Sequence, residues 1–161
     1  MIVNLTQDEV RVCVTLATER WYAKFGSIDR PNYAKGKEEG RLEHDLLAGI
    51  RANVCEYAVS REYNVSWTVP WYPNALHGKR QNIADVGING EVRSVRTVEG
   101  IPYWTKDAGR TIIGAKVLDS AYYKEVEIYG KFKADDYFLP EFRDESIDGW
   151  RMPVSKLIEL P

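Results

Sequence analysis

Three side chains within nine residues carry the chemical interest of this sequence. The stretch ADVGINGEVRSVRT, residues 84–97, sets Asp85 before a glycine-rich reversal (Gly87, Asn89, Gly90) and follows it with Glu91-Val92-Arg93. Hard divalent cations such as Mg²⁺ take oxygen ligands, commonly one to three carboxylates with water and substrate phosphate. In phosphodiester hydrolysis such a cation polarises the phosphate and lowers the pKa of the attacking water. Asp85 and Glu91 could serve that chemistry only if both carboxylates project toward one point.

The hairpin register decides this. A two-residue Asn89-Gly90 turn sets Ile88 opposite Glu91 and sends Asp85 and Glu91 to opposite faces, because side chains alternate along a strand. A three-residue loop, Ile88-Asn89-Gly90 with Gly90 left-handed, sets Asp85 opposite Arg93 and on the face of Glu91. Both are common hairpin forms, and the sequence slightly favours the shorter.

The elements that must position these residues come before and after them. Thr6 followed by Glu9 reads as a capping box opening a helix from about Gln7 to Phe25, ended by Gly26. Residues 27–40 (SIDRPNYAKGKEEG) read as a loop. A second helix runs from about Leu42 to Glu62, with an apolar stripe of Leu46, Ile50, Val54, Tyr57 and Ala58. Gly49, Asn53, Glu56 and Ser60 fall on another side of the cylinder. Little large polar surface remains on this helix, so it is expected at the centre of the fold. Strands are expected at Val65–Val69, just before Asp85, and at Glu91–Val98, Thr111–Leu118, Glu125–Lys133 and Ser155–Leu160. Gly100–Gly109 reads as a turn and Asp135–Gly149 as an acidic connection. Helices first and strands afterwards give an α+β class with a mixed sheet.

Composition bounds the alternatives. The 161 residues fit a single domain, residues 1–40 forming an N-terminal helix and loop and 41–161 the core. A hydrophobic content of 44% supports a folded globule, and a net charge of −2 argues against a strongly basic protein that coats nucleic acid. Cys13 and Cys55 lie within apolar helical patterns and read as buried free thiols. His44 and His77 are too isolated to form a zinc site. The sequence shows neither a secretion signal nor an apolar run long enough for a bilayer.

Glu56 on a helix, Asp85 before a reversal and Glu91-x-Arg93 on the following strand resemble the core of the PD-(D/E)xK nuclease superfamily. GIRANVCEYAV is similar to the Gly-x6-Glu helix of that pattern, with Gly49 and Glu56 at its marked positions. The "DVG…EVR" core and the segment MPVSKLIEL (Met152–Leu160) also resemble small phage-encoded hypothetical proteins. The likeness spans roughly residues 42–160. It implies a restriction-endonuclease-like core and a Mg²⁺-dependent DNA hydrolase with Asp85, Glu91 and Glu56 as metal ligands. Arg93 stands where that pattern carries Lys, and would contact the scissile phosphate. Arg remains protonated and forms a planar fork suited to oxyanions, so it cannot take a role that needs a neutral amine.

A second reading sets Arg93 against the carboxylates, as a guanidinium in the metal position of a catalytically silent, virion-associated or protein- or nucleic-acid-binding module. Partners under these readings are DNA or phage structural proteins, in a host cytoplasm or a virion. Candidate nucleic-acid contacts are Trp71, Lys79, Arg80, Arg93 and Arg96, with Lys106 and Arg110 adding positive charge. Residues 67–80 read in preference as a Pro-bent edge strand whose aromatics close the core. The run Asp135–Asp148 reads as a solvated loop, and Tyr122, Tyr123 and Tyr129 as sheet residues.

Overall fold

The computed structural model describes residues 1–24, 41–68, 84–87, 89–95, 100–119 and 121–157; the side chains at 23–24 and 41–45 are outside that description. Its elements are β1 (Ile2–Asn4), α1 (Gln7–Lys24), α2 (Arg41–Glu62), β2 (Gly90–Ser94), β3 (Ile101–Tyr103), β4 (Thr111–Val117), β5 (Glu125–Lys133), β6 (Arg143–Asp144) and β7 (Gly149–Met152). The class is α+β. No helix among the described residues is long and apolar enough to cross a membrane.

The capping box is formed. The Thr6 N–H donates to Glu9 Oε2 at 2.7 Å, and the Glu9 N–H donates back to Thr6 Oγ1 at 3.3 Å. Two donors at the start of α1 so gain acceptors. α1 packs on α2 through Cys13 and Ala17, and both cysteines are free and buried. Burial pushes both thiols up to about 12, so they act as apolar filler.

Gly49 faces Ala17, and the rest of its line on α2 is buried although polar: Asn53, Glu56 and Ser60 are each 6% exposed or less. Asn53 is satisfied by Arg20, whose Nη1 donates to Oδ1 at 2.5 Å, and by donating its own amide to the Cys13 carbonyl at 3.2 Å.

A four-stranded mixed sheet in the order β1-β5-β4-β2 lies against α2. β1 and β4 run antiparallel to β5, and β2 runs parallel to β4. The β2–β4 register sets Val92 beside Ile113 and Ser94 beside Ala115, while Glu91 lies beside Ile112 and Arg93 beside Gly114. Val92, Ile113 and Ala115 belong to the core shared with the helices. Ile112 belongs to a second core with Ile101, Tyr103, Phe132, Ala134, Phe142 and Met152. That core lies under a three-stranded antiparallel sheet, β3-β7-β6. Gly114 allows the two sheets to close: a Cβ there would sit 2.4 Å from Ile101 Cδ1. A shift in register at Gly114/Ala115 leaves Tyr129 as an extra residue on β5 and changes which side chains of β5 face each core, Val126 and Ile128 the first and Phe132 the second.

Several expectations need correction. The reading of Gly100–Gly109 as a turn missed β3 and its antiparallel pairing with β7. The run 135–149 is no plain loop, since it holds three short 3-10 turns and β6. Val154–Lys156 is a 3-10 turn where a last strand was expected, and residues 158–161 lie outside the described residues. Tyr129 lies in β5, but Tyr122 and Tyr123 fall in the connection after β4, with Tyr123 at φ 58°. Short elements with few alternating positions leave little periodic signal, which explains these misses.

Candidate functional site: an arginine-held acidic centre

Neither expected hairpin register is adopted. Val86 pairs with Gly90, so the reversal lies between these two residues. The left-handed residue is Asn89, at φ 55°, and not Gly90. Asn tolerates that region better than most side chains. It is also fixed from outside, because Asn89 Nδ2 donates to the Gly109 carbonyl at 2.6 Å and the Thr111 N–H donates to the Asn89 carbonyl at 3.2 Å. Gly87 is needed for a close approach, since a Cβ there would lie 2.2 Å from Ser66 Oγ.

This register sets Asp85 and Glu91 as the residues flanking the Val86–Gly90 pair. The two carboxylates converge. Burial and the charge on Glu91 push the Asp85 carboxyl up to about 6, against the pull of the Val92 N–H and of Arg93. Its Oδ2 accepts from that N–H at 2.9 Å, so Asp85 also covers a donor on the outer edge of β2.

Glu91 is already supplied with cations. Arg93 Nη1 donates to its Oε1 at 2.8 Å, and Arg110 Nη1 donates to its Oε2. Arg93 reaches further: its Nη2 donates to Asp107 Oδ1 at 2.7 Å. Asp107 has only 3% of its side chain exposed and accepts the Trp104 N–H on its other oxygen at 2.9 Å. Burial opposes the charge on Arg93, but Asp107 and Glu91 outweigh it and hold the guanidinium more firmly protonated than usual. Arg93 also lies over the Trp104 ring, 5.5 Å from its centroid. The centre thus links β2 to the turn between β3 and β4 through Glu91–Arg110 and Arg93–Asp107.

Glu56 is not brought to this centre. It projects from α2 on the helix side of the sheet, whereas Glu91 and Arg93 share the side of the second core. Glu56 Oε2 accepts the Trp67 indole N–H at 3.0 Å, and Trp67 meets Tyr57 edge-to-face at 5.3 Å. Trp67 therefore helps to close the helix-side core. Trp71, Lys79, Arg80 and Arg96 lie outside the described residues. Lys106 is exposed and stands over Trp104 at 5.3 Å.

The donor set does not fit a divalent cation in this arrangement. Both oxygens of Glu91 and one of Asp85 are engaged, Glu56 belongs to another cluster, and no group of three metal-binding side chains converges among the described residues. Sequence reasoning missed Asp107, and it counted Arg110 only as surface charge. The one local signal for Asp107 was its place three residues after Trp104, where a carboxylate can cap a turn. No protein-family description, curated protein or solved structure matches this chain.

Proposed function

We propose that this chain is a PD-(D/E)xK-like domain whose acidic centre is closed by arginine, and that it binds nucleic acid without hydrolysing it. One observation carries the reading. Each carboxylate oxygen of Glu91, the residue a nuclease would commit to its metal, accepts a hydrogen bond from an arginine. A guanidinium between Glu91 and Asp107 supplies the positive charge that a cation would bring, and it cannot exchange with solvent as an ion does. Such a centre holds a hairpin and a turn rigidly together. It leaves contact with a phosphate backbone to cations around it, such as exposed Lys106.

The test is fluorescence anisotropy of labelled single- and double-stranded DNA, in the absence of divalent metal and over a range of salt. Binding that weakens steeply with salt supports the reading, because released counterions drive backbone contacts. Failure to bind either strand form at low salt would sink it and favour a protein partner, such as a phage structural component.

A second reading has one observation in its favour. Asp85 and Glu91 flank the same backbone pair, and the carboxyl of Asp85 is raised by its neighbour, as in carboxylates that share a site. A Mg²⁺-dependent deoxyribonuclease using Asp85 and Glu91 would need Glu91 released from Arg93 and Arg110. Cleavage by the wild type would favour it.

A further inference from the structure

We propose that Asp107 is an internal anion seated on the phosphate-binding edge of Arg93, so that the turn carrying it masks an oxyanion site. This deepens the binding reading above and rests on it.

A guanidinium offers Nε–H and Nη2–H side by side, a fork that fits the two oxygens of a carboxylate or phosphate. Asp107 fills only one prong. Its Oδ1 accepts from Nη2 at 2.7 Å, while its Oδ2 is turned away to the Trp104 N–H at 2.9 Å. Arg93 Nε is buried and has no hydrogen-bond partner among the described residues. A buried donor left unmet beside a half-used fork marks a place where a better acceptor would be favoured.

The surrounding charges agree. Two guanidiniums, Arg93 and Arg110, share the carboxylates of Glu91 and Asp107, so removing Asp107 deletes one of the two negative charges paired with them. The masking residue sits on a short exposed turn. Thr105, Lys106, Ala108 and Gly109 are exposed, and the turn is fastened by Asn89 Nδ2 on the Gly109 carbonyl and by the Gly109 N–H on Asp135 Oδ2 at 2.9 Å. The ligand class is a phosphate group, either free or in a nucleic-acid backbone.

The experiment follows the Arg93 Nε–H resonance by ¹H–¹⁵N NMR while inorganic phosphate, and separately a short DNA oligonucleotide, is titrated in. Asp107→Asn should bind phosphate about tenfold more tightly than the wild type, the scale of one charge-assisted hydrogen bond. The Arg93 Nε–H signal should move with saturation. Asp107→Ser retains an acceptor for the Trp104 N–H and should behave alike, which covers a failure of Asp107→Asn to fold. The gain should vanish when Arg93→Lys is added, because Lys lacks the fork.

A response to the oligonucleotide as well as to phosphate assigns the site to a nucleic-acid backbone; a response to phosphate alone assigns it to a free phosphate. Unchanged phosphate affinity in both Asp107 variants overturns the proposal, as does a gain that survives Arg93→Lys. An Arg93 signal that stays still in both titrations also overturns it, and DNA that binds in that case leaves the binding reading standing.

Discussion

Replacing Arg93 with Met tests how far the acidic centre holds the fold together. The change removes the guanidinium that joins Glu91 on β2 to Asp107 on the turn before β4. Glu91 keeps Arg110, but Asp107, with 3% of its side chain exposed, is left among the described residues with the Trp104 N–H alone. Removing one partner of a buried ion pair costs roughly 3–5 kcal/mol, because the remaining charge is stranded. Arg93 has 16% of its side chain exposed and Glu91 retains a second arginine, so the lower end, about 3 kcal/mol, is expected. Urea unfolding followed by tryptophan fluorescence would read this as a fall in midpoint of about 1.5 M, for a slope near 2 kcal/mol per M. Adding Asp107→Asn removes the stranded charge and should restore about 1–2 kcal/mol, a coupling of the size seen for contacting residues. A loss below about 0.5 kcal/mol for Arg93→Met would place the pair among exposed salt bridges and refute the reasoning.

Two further outcomes follow from single residues. Because the folded Asp85 carboxyl lies at about 6 and the unfolded one at an ordinary 3.8, the unfolded chain ionises first as pH rises. Wild-type stability should therefore fall between about pH 4 and 6 relative to Asp85→Asn, and a flat or rising difference in urea midpoints would contradict the raised carboxyl. Gly114→Ala should cost about 1–3 kcal/mol in thermal unfolding, since its methyl would meet the fully buried Ile101; an unchanged melting temperature would show that the two sheets are not locked at this point.

The parts of the fold legible in the sequence are those with long periodic patterns. α1, α2, β4 and β5 lie within a residue or so of where their apolar spacing puts them, and Thr6 and Glu9 mark the start of α1 by local chemistry alone. β1, β3, β6 and β7 have four residues or fewer, too few for alternation to declare a strand, and they form only because long-range pairing recruits them. The hairpin was misjudged because Asn-Gly favours a two-residue turn locally. Here Asn89 is held by Gly109 and Thr111, twenty or more residues away, and tertiary contact overrides the local preference.

The candidate centre was half legible. Asp85, Glu91 and Arg93 were visible as a cluster in sequence, whereas the partners that decide their charge state, Asp107 and Arg110, arrive from another strand connection. Glu56 shows the reverse failure. Its helical position was read correctly, but the parity of β2 against β4 puts Glu91 on the other face of the sheet.

The most direct test of the central claim is a cleavage assay. Labelled single- and double-stranded DNA would be incubated with the wild type, Arg93→Lys and Asp85→Ala across a titration of Mg²⁺ and Mn²⁺. An acidic centre closed by arginine predicts DNA bound and left intact by the folded wild type at every metal concentration. Metal-dependent cleavage by the wild type that disappears in Asp85→Ala would contradict it, and would show that Glu91 leaves its arginines to work as a nuclease ligand.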